Sequence, residues 1–193
     1  MMRVIRLLAL ALALALGLAP TIAAAQTAKE TPKPPATAPA PVPATPERTT
    51  ASFGDWVMRC DATPPPVKRV CEVAQLMTVQ GQAAPVAQVA FGRTARGEPM
   101  RATLVLPVAV LLTTKPKILS EREDKSPLEV SWQRCVPGGC IASVTVGDDV
   151  MVRLGARTEP GSIVFKDAAE HDIAFPLSFR GLAQALAALA KES

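Results

Sequence analysis

Four cysteines, placed as two close pairs, limit what this sequence can fold into more than any other feature. Ten residues separate Cys60 from Cys71, and four separate Cys135 from Cys140. Neither spacing is the C-x-x-C of thiol oxidoreductases, and the gap between Cys60 and Cys71 is too wide for the tight cysteine knuckles of structural zinc sites, so we predict no metal site. Of the three possible pairings we favour Cys60–Cys71 with Cys135–Cys140, because each bridge would join two strands or a strand and its turn.

The first 25 residues have the parts of an export signal. Arg3 and Arg6 precede the apolar run 7–18, and alanines at 23–25 form a signal peptidase site, which predicts cleavage before Gln26. The run is too short to span a membrane, so we predict no span in the mature chain. Export leads to an oxidising compartment, where four cysteines are expected to form two disulfides.

Residues 26–52 are predicted to be a disordered linker rich in proline, alanine and threonine. Seven prolines between positions 27 and 50 favour extended polyproline II and leave little to bury. Residues 53–193 are long enough for a core. Five basic and two acidic residues lie before position 53, out of 21 and 17 in the chain, which leaves this domain nearly neutral. A neutral domain lacks the electrostatic footprint of nucleic-acid binding, so no nucleic acid is expected as a partner.

Apolar residues in this domain alternate mostly with a period of two, which predicts β-strands. The predicted strands cover residues 57–60, 70–79, 86–91, 102–106, 108–112, 128–135, 162–166 and 172–175. Pro107 separates two of them, so one should lie at a sheet edge or begin a new strand. Short strands bounded by proline, glycine and aspartate favour a β-sandwich or barrel.

Two helices interrupt the strands. Asp148 and Asp149 suit the first turn of a short helix that ends near Gly155. Residues 180–191 repeat leucine with helical spacing, which predicts a C-terminal helix packed on a sheet, and Ser178 is its expected N-cap.

The histidine at position 171 is the only one available for a nucleophilic mechanism. Glu170 and Asp172 could orient its ring, and Cys140 is the thiol that such a dyad would use. We predict no catalytic residue. Cys140 is expected to be bonded in a disulfide, and His171 is expected to be an ordinary solvated histidine in a turn.

Clustered carboxylates and two tryptophans are the remaining candidates. The acidic groups are Glu121, Glu123 and Asp124, and then Asp148 and Asp149. A glycosidase would add an aromatic cleft, and we interpret these acids instead as a solvated loop and a helix start. Trp56 and Trp132 are predicted to pack in the core against the disulfides, although exposed together they would anchor a partner.

Five segments then occur in a characteristic order. They are Phe53-Gly54-Asp55-Trp56 with Cys60, Cys71 to Gln75, Leu106-Pro107, Trp132 to Ala142 through Cys135 and Cys140, and Phe175 to Leu186. The order resembles the invasion-associated locus B (IalB) family of exported alphaproteobacterial proteins, over residues 53–190. Ala109 and Leu182 depart from it, where the family often has glycine and phenylalanine.

The resemblance implies a mainly β protein, an immunoglobulin-like β-sandwich with a short helix, a C-terminal helix and two disulfides. It also implies a periplasmic or surface-associated protein without known catalysis or cofactor, in which the four cysteines are structural. We therefore expect an exported, non-enzymatic envelope protein that binds another envelope or host-surface component. The sequence does not name that partner or its binding residues; a sheet edge beside Pro107 is the expected docking place.

Alternatives remain open for location and for function. We expect a periplasmic protein, with outer-membrane association or secretion as alternatives. One other function is that of a periplasmic hydrolase using His171 or a carboxylate pair. Another is that of a purely structural envelope protein, tethered by an uncleaved leader and held out by the linker.

Overall fold

Short segments with alternating buried and exposed side chains build two antiparallel sheets in this protein. The structure, a computed structural model, describes residues 47–62, 69–95 and 97–192. The predicted signal peptide 1–25, residues 26–46 of the predicted linker and the proline-rich loop 63–66 lie outside the described residues.

The first sheet has seven strands and the second has four. The strands are β1 Arg48–Phe53, β2 Trp56–Asp61, β3 Val70–Met77, β4 Ala87–Gly92, β5 Arg101–Leu106, β6 Lys117–Leu119, β7 Leu128–Glu129, β8 Ser131–Val136, β9 Gly139–Thr145, β10 Gly161–Lys166 and β11 Asp172–Leu177. The helices are α1 Asp148–Gly155 and α2 Leu182–Glu192.

The seven-stranded sheet has the order β1-β2-β3-β4-β5-β9-β8, so its first five strands form an antiparallel meander. The four-stranded sheet has the order β11-β10-β6-β7. The edges are therefore β1 and β8 in one sheet and β11 and β7 in the other. Strand β5 lies between β4 and β9, so the prediction of a sheet edge beside Pro107 is wrong: the proline ends an interior strand.

One hydrophobic cluster contains buried residues from both sheets and both helices. Strand β5 contributes Ala102, Leu104 and Leu106 at alternate positions, as a strand with one core face must. Helix α2 buries Leu182 and Leu189 and contacts β1, β2 and β3. Burying one leucine side chain contributes about 1.5–3 kcal/mol. The two sheets, two helices and two disulfides confirm the predicted mainly β class.

The predicted strand over 108–112 is wrong. Val110 alone is buried in the middle of this run, while Val108 and Leu112 are more than half exposed. A single bridge joins Val110 to Asp167, and the Leu111 amide donates to the Lys166 carbonyl at 2.9 Å. The segment is a loop pinned to the end of β10, because its consecutive apolar residues do not alternate between two faces.

Four strands and one helix start differ from the sequence-based expectation. The predicted strand 128–135 divides into β7 in the four-stranded sheet and β8 in the seven-stranded sheet. Strand β1 occupies residues 48–53, so the last residues of the predicted linker belong to the sheet. Strands β6 and β9 were not predicted. Helix α2 begins at Leu182, so Ser178 is not its N-cap.

Candidate functional site

Three of the motif segments meet at one residue, Ser178. Its carbonyl accepts hydrogen bonds from Trp56 Nε1 at 2.9 Å and from Gln75 Nε2 at 3.1 Å. Its amide donates to Gln75 Oε1 at 3.0 Å. We call Asp55, Trp56, Gln75, Ser178 and Arg180 the Ser178 junction. It joins strands β2 and β3 to the segment between β11 and α2.

Asp55 is the charged centre of the Ser178 junction. It accepts hydrogen bonds from Ser178 Oγ at 2.6 Å, from Arg180 Nε at 3.1 Å and from Arg180 Nη2. The hydrogen bonds from Arg180 and then from Ser178 lower the pKa of the Asp55 carboxyl to about 2. The same ion pair raises the pKa of Arg180, so both groups are charged at neutral pH.

Two glycines let the backbones of the junction cross. Gly54 has φ +58° and Gly181 has φ +90°, a region that side chains with Cβ rarely adopt. A Cβ at Gly54 would lie 2.6 Å from the Arg180 carbonyl oxygen, and one at Gly181 would collide with the Phe53 carbonyl. The close approach allows the Asp55 amide to donate to the Arg180 carbonyl at 3.1 Å.

The junction fixes geometry and has no groups suited to nucleophilic chemistry. Ser178 Oγ donates its proton to a carboxylate whose pKa lies far below neutral, so Asp55 is a poor general base. The other charged partner is Arg180, a guanidinium that stays protonated. The arrangement therefore holds distant parts of the chain in register.

His171 lies in the turn between β10 and β11, and its side chain is 75% exposed. Its ring Nδ1 is 3.2 Å from Asp167 Oδ2, and its amide donates to Asp167 Oδ1 at 2.9 Å. These bonds, the amide bond first, lower the pKa of Asp167. The predicted orienting acids do not touch the ring: Asp172 pairs with Lys166 at 2.9 Å, and the Glu170 carbonyl accepts from Lys166.

Two acids of the first acidic cluster, Asp124 and Glu121, have separate structural partners. Asp124 accepts hydrogen bonds from the Ser120 amide, the Ser120 hydroxyl and the Ser126 amide, all within 2.8 Å. Burial raises the pKa of Asp124, but the hydrogen bonds outweigh it and the net shift is downward. Glu121 pairs with Arg157 at 2.7 Å. The acids at 148 and 149 occupy the first turn of α1, as predicted.

All four cysteines are in disulfides, with the favoured pairing. Cys60 lies opposite Cys71 across β2 and β3, and Cys135 lies opposite Cys140 across β8 and β9. Cys140 is therefore no thiol for a dyad. The carboxylate of Glu192 lies within 4.8 Å of the first bridge, but bonded sulfurs are poor metal ligands, so this cluster is no zinc site.

The two tryptophans have different surroundings. Trp56 is fully buried, with its ring centroid 5.6 Å from that of Phe91, so it belongs to the core as predicted. Trp132 is half-buried, and its Nε1 donates to the Thr114 carbonyl at 2.9 Å. They do not form a shared exposed anchor.

The polar residues of the Ser178 junction all lie in the sequence motifs, but only Ser178 had a predicted role, that of a helix N-cap, which the structure does not bear out. One signal for them was Gln75, which shares the core face of β3 with Cys71, Val73 and Met77. A polar side chain at a buried strand position needs a hydrogen-bonding partner. The alternation in β3 shows that Gln75 needs a hydrogen-bonding partner, but it does not identify Ser178 as that partner.

Comparisons with known proteins agree with this architecture. The solved structure of invasion associated protein B from Bartonella henselae is similar, with a TM-score of 0.63 and 20% sequence identity. The likeness covers 74% of this chain and 95% of that one, and at this identity it shows the fold, a two-sheet β-sandwich. No sequence among curated proteins matches the chain. The sequence profile of the family described as Invasion associated locus B (IalB) protein matches residues 56–190, more than half of the chain. The chain therefore belongs to the IalB family.

Proposed function

We propose that this chain is an exported, non-enzymatic envelope protein that binds another envelope or host-surface component. Family membership and the name of the Bartonella relative support an invasion-associated envelope role. Two disulfides support an extracytoplasmic location, and we place the protein in the periplasm, with outer-membrane association or secretion as alternatives. Neither described helix has the length and apolar composition of a membrane-spanning helix.

The edge strand β1, which pairs only with β2 in the described part of the chain, is the observation that carries the binding proposal. After Arg48, this strand reads Thr-Thr-Ala-Ser-Phe, without a charge, a proline or an irregularity in its pairing with β2. An uninterrupted edge offers unpaired backbone groups to an added strand. The positions Thr50 and Ser52 are exposed. A partner that supplies an extended segment would therefore find a six-residue template here.

The other three edges are less suited to strand addition. Strand β8 has a register shift between Trp132 and Arg134. Strand β11 contains Pro176, which has no amide proton, and β7 has only two residues. Such features block pairing at sheet edges. Strand β1 also precedes residue 56, where the family match begins.

The hydrolase alternative has less support. In the described part of the chain, the only polar side-chain partner of His171 is Asp167, with no hydroxyl or thiol in reach. A nucleophile–histidine pair needs such a hydrogen bond. Two acids of the first cluster are already paired, Glu121 with Arg157 and Asp124 with the Ser120 and Ser126 amides.

Site-specific photo-crosslinking in cells of the source bacterium tests the binding proposal. A photoreactive amino acid at Thr50 or Ser52 should give a discrete adduct of one mass, recovered in the same envelope fraction as the protein. The matched control is Gln82, which is exposed in the loop between β3 and β4. Adducts at Gln82 equal to those at Thr50, or none at β1 in any fraction, would refute docking at this edge. The His171→Ala variant should leave the adducts unchanged.

A further inference from the structure

On the face of the seven-stranded sheet opposite the core, one cross-strand row of side chains has a gap. The register places Arg59, Glu72, Gly92 and Arg101 side by side across β2, β3, β4 and β5. Because Gly92 has no side chain, the row is open between Glu72 and Arg101. A Cβ at this position would lie 2.8 Å from Glu72 Cβ and 3.0 Å from the Cys71 carbonyl oxygen.

The gap is part of a cavity of about 150 Å³. We call this cavity the Gly92 notch. The lining residues that the argument uses are Glu72, Gly92, Arg93, Thr94, Arg101 and Thr103. Two of them carry guanidinium groups and two carry hydroxyl groups. No residue of strand β1 lines the notch, so this inference does not depend on the proposed docking edge.

The charges around the notch do not cancel. Glu72 accepts a hydrogen bond from Arg59 at 2.5 Å, which makes a neutral pair. Arg101 donates instead to Ser143 Oγ at 2.7 Å, and Arg93 donates to the Glu98 carbonyl at 2.7 Å. Both acceptors are uncharged. Among the described residues, neither Arg93 nor Arg101 has a carboxylate partner.

Those two hydrogen bonds also orient the guanidinium groups. Each anchored arginine uses one N–H on the protein and keeps others for a ligand, since a guanidinium has five donors. An arginine held by a neighbour loses less conformational entropy when it binds. Arg93 and Arg101 therefore form a prearranged pair of positive charges beside two hydroxyl donors.

We propose that the Gly92 notch binds a phosphate group. Arginine forks match the oxygens of phosphate, and hydroxyls of Thr94 and Thr103 can donate to its remaining oxygens. Donors from several side chains around one cavity suit a tetrahedral group better than a planar carboxylate. Two uncompensated positive charges suit the charge of a phosphate. The phosphate can be free or carried on a lipid headgroup.

Titration of the oxidised protein with inorganic phosphate, followed by amide NMR at constant ionic strength, tests the proposal. We expect saturable shifts centred on residues 92–94 and 101–103, and none of that pattern with chloride. In the Arg93→Gln and Arg101→Gln variants the Kd should rise about ten-fold, the usual effect of losing a charge-assisted hydrogen bond. Arg134→Gln is the matched control, because Arg134 is exposed on the same sheet outside the notch.

A second variant protects the test against misfolding of the arginine variants. Thr103→Val keeps the shape of a β-branched side chain in β5 and removes only the hydroxyl, and it should weaken phosphate binding several-fold. Vesicles separate the two sources. If the protein binds phosphatidylglycerol vesicles but not phosphatidylcholine vesicles, and Arg101→Gln abolishes that binding, the phosphate belongs to a lipid headgroup. If the protein binds only free phosphate, the ligand is a soluble phosphate. Unsaturable shifts, or equal losses in Arg101→Gln and Arg134→Gln, would overturn the proposal.

Discussion

Ser178 Oγ donates a 2.6 Å hydrogen bond to Asp55 Oδ2, although the two residues lie 123 positions apart in the chain. The contact joins the start of the second strand to the segment just before the C-terminal helix. Closing so long a segment costs chain entropy that only the assembled sheets can offset. The Ser178 junction therefore reports on the folding of the whole domain, and its residues are sensitive places to test the architecture.

Asp55 should make the stability of the domain depend on acid pH. Its pKa is about 2 in the folded protein, against about 3.9 in an unfolded chain, so between these values the unfolded state binds more protons. The contribution of the carboxylate is complete above about pH 4 and is lost as the pH falls towards 2. At pH 6, Asp55→Asn should unfold at a lower urea midpoint than wild type. The difference between the two midpoints should shrink as the pH falls towards 2.

The control for this experiment is Asp148→Asn. Asp148 is exposed in the first turn of α1 and has no ion pair in the described chain. Its substitution should lower the midpoint at pH 6 by less than Asp55→Asn does, because an exposed acid in the first turn of a helix contributes only about 0.3–1 kcal/mol. A difference between wild type and Asp55→Asn that stays constant from pH 6 to pH 2 would contradict the role given to the Asp55 carboxylate.

Gln75→Ala should destabilise the fold by about 2 kcal/mol or more. The substitution leaves the Ser178 amide without its acceptor, and an unsatisfied buried donor costs about 1–3 kcal/mol. A cavity in the core face of β3 adds to this. Gln88→Ala is the matched control, because Gln88 is half-buried on neighbouring β4 and makes no side-chain hydrogen bond in the described structure. Equal losses in urea unfolding would show that the junction is not the cause.

Gly181→Ala should be far more damaging than Gly81→Ala. Both glycines have positive φ, +90° and +87°, so both alanines carry a backbone penalty of about 1 kcal/mol. A Cβ at Gly81 meets nothing within 4 Å, whereas one at Gly181 meets the backbone of Phe53. We expect a loss of at least about 3 kcal/mol for Gly181→Ala in thermal or urea unfolding. Similar losses in the two variants would mean that the crossing backbones can move apart.

The elements that were predictable from sequence are those whose pattern is local. Alternation in β5 and the leucine spacing of α2 follow from one face being buried, and the disulfides form the favoured one of three possible pairings, between cysteines close in sequence. Strand β9 was missed because its sequence Gly-Cys-Ile-Ala-Ser-Val-Thr has small residues on its core face. Strand β1 was missed because a polar edge strand has the composition of a linker.

Other features depend on contacts that no local pattern contains. The run 108–112 is apolar enough for a strand, yet its place beside Asp167 and Lys166 keeps it a loop. Ser178 has the right residue type for a helix cap, but α2 begins four residues later, and Ser178 is hydrogen-bonded to Asp55 and Gln75 instead. The Gly92 notch arises from cross-strand register, which sets Gly92 between Glu72 and Arg101. Register is decided by the packed sheet and cannot be read from one strand.

His171→Ala should leave stability and partner adducts unchanged. The ring is exposed, and Asp167 keeps the hydrogen bonds from the Ala169 and His171 amides without it. Exposed substitutions of this kind usually change stability by less than about 0.5 kcal/mol. Urea unfolding measures the first effect, and photo-crosslinking at Thr50 measures the second. A phenotype in cells from this variant, with an intact fold, would favour the hydrolase alternative.

The two disulfides should differ in how fast they are reduced in the folded protein. Cys135 is exposed, whereas Cys60 and Cys71 are 1% and 7% exposed and lie close to the Glu192 carboxylate. An attacking thiolate must reach a sulfur atom, so burial protects the Cys60–Cys71 bridge, whereas the charge of Glu192 is paired with Arg69. Limited treatment with dithiothreitol, followed by alkylation and peptide mass mapping, should label Cys135 and Cys140 first.

In denaturant the two pairs should react at similar rates, because burial is then lost. Equal labelling in the native protein would mean that the core opens around Cys60–Cys71 as readily as the edge does.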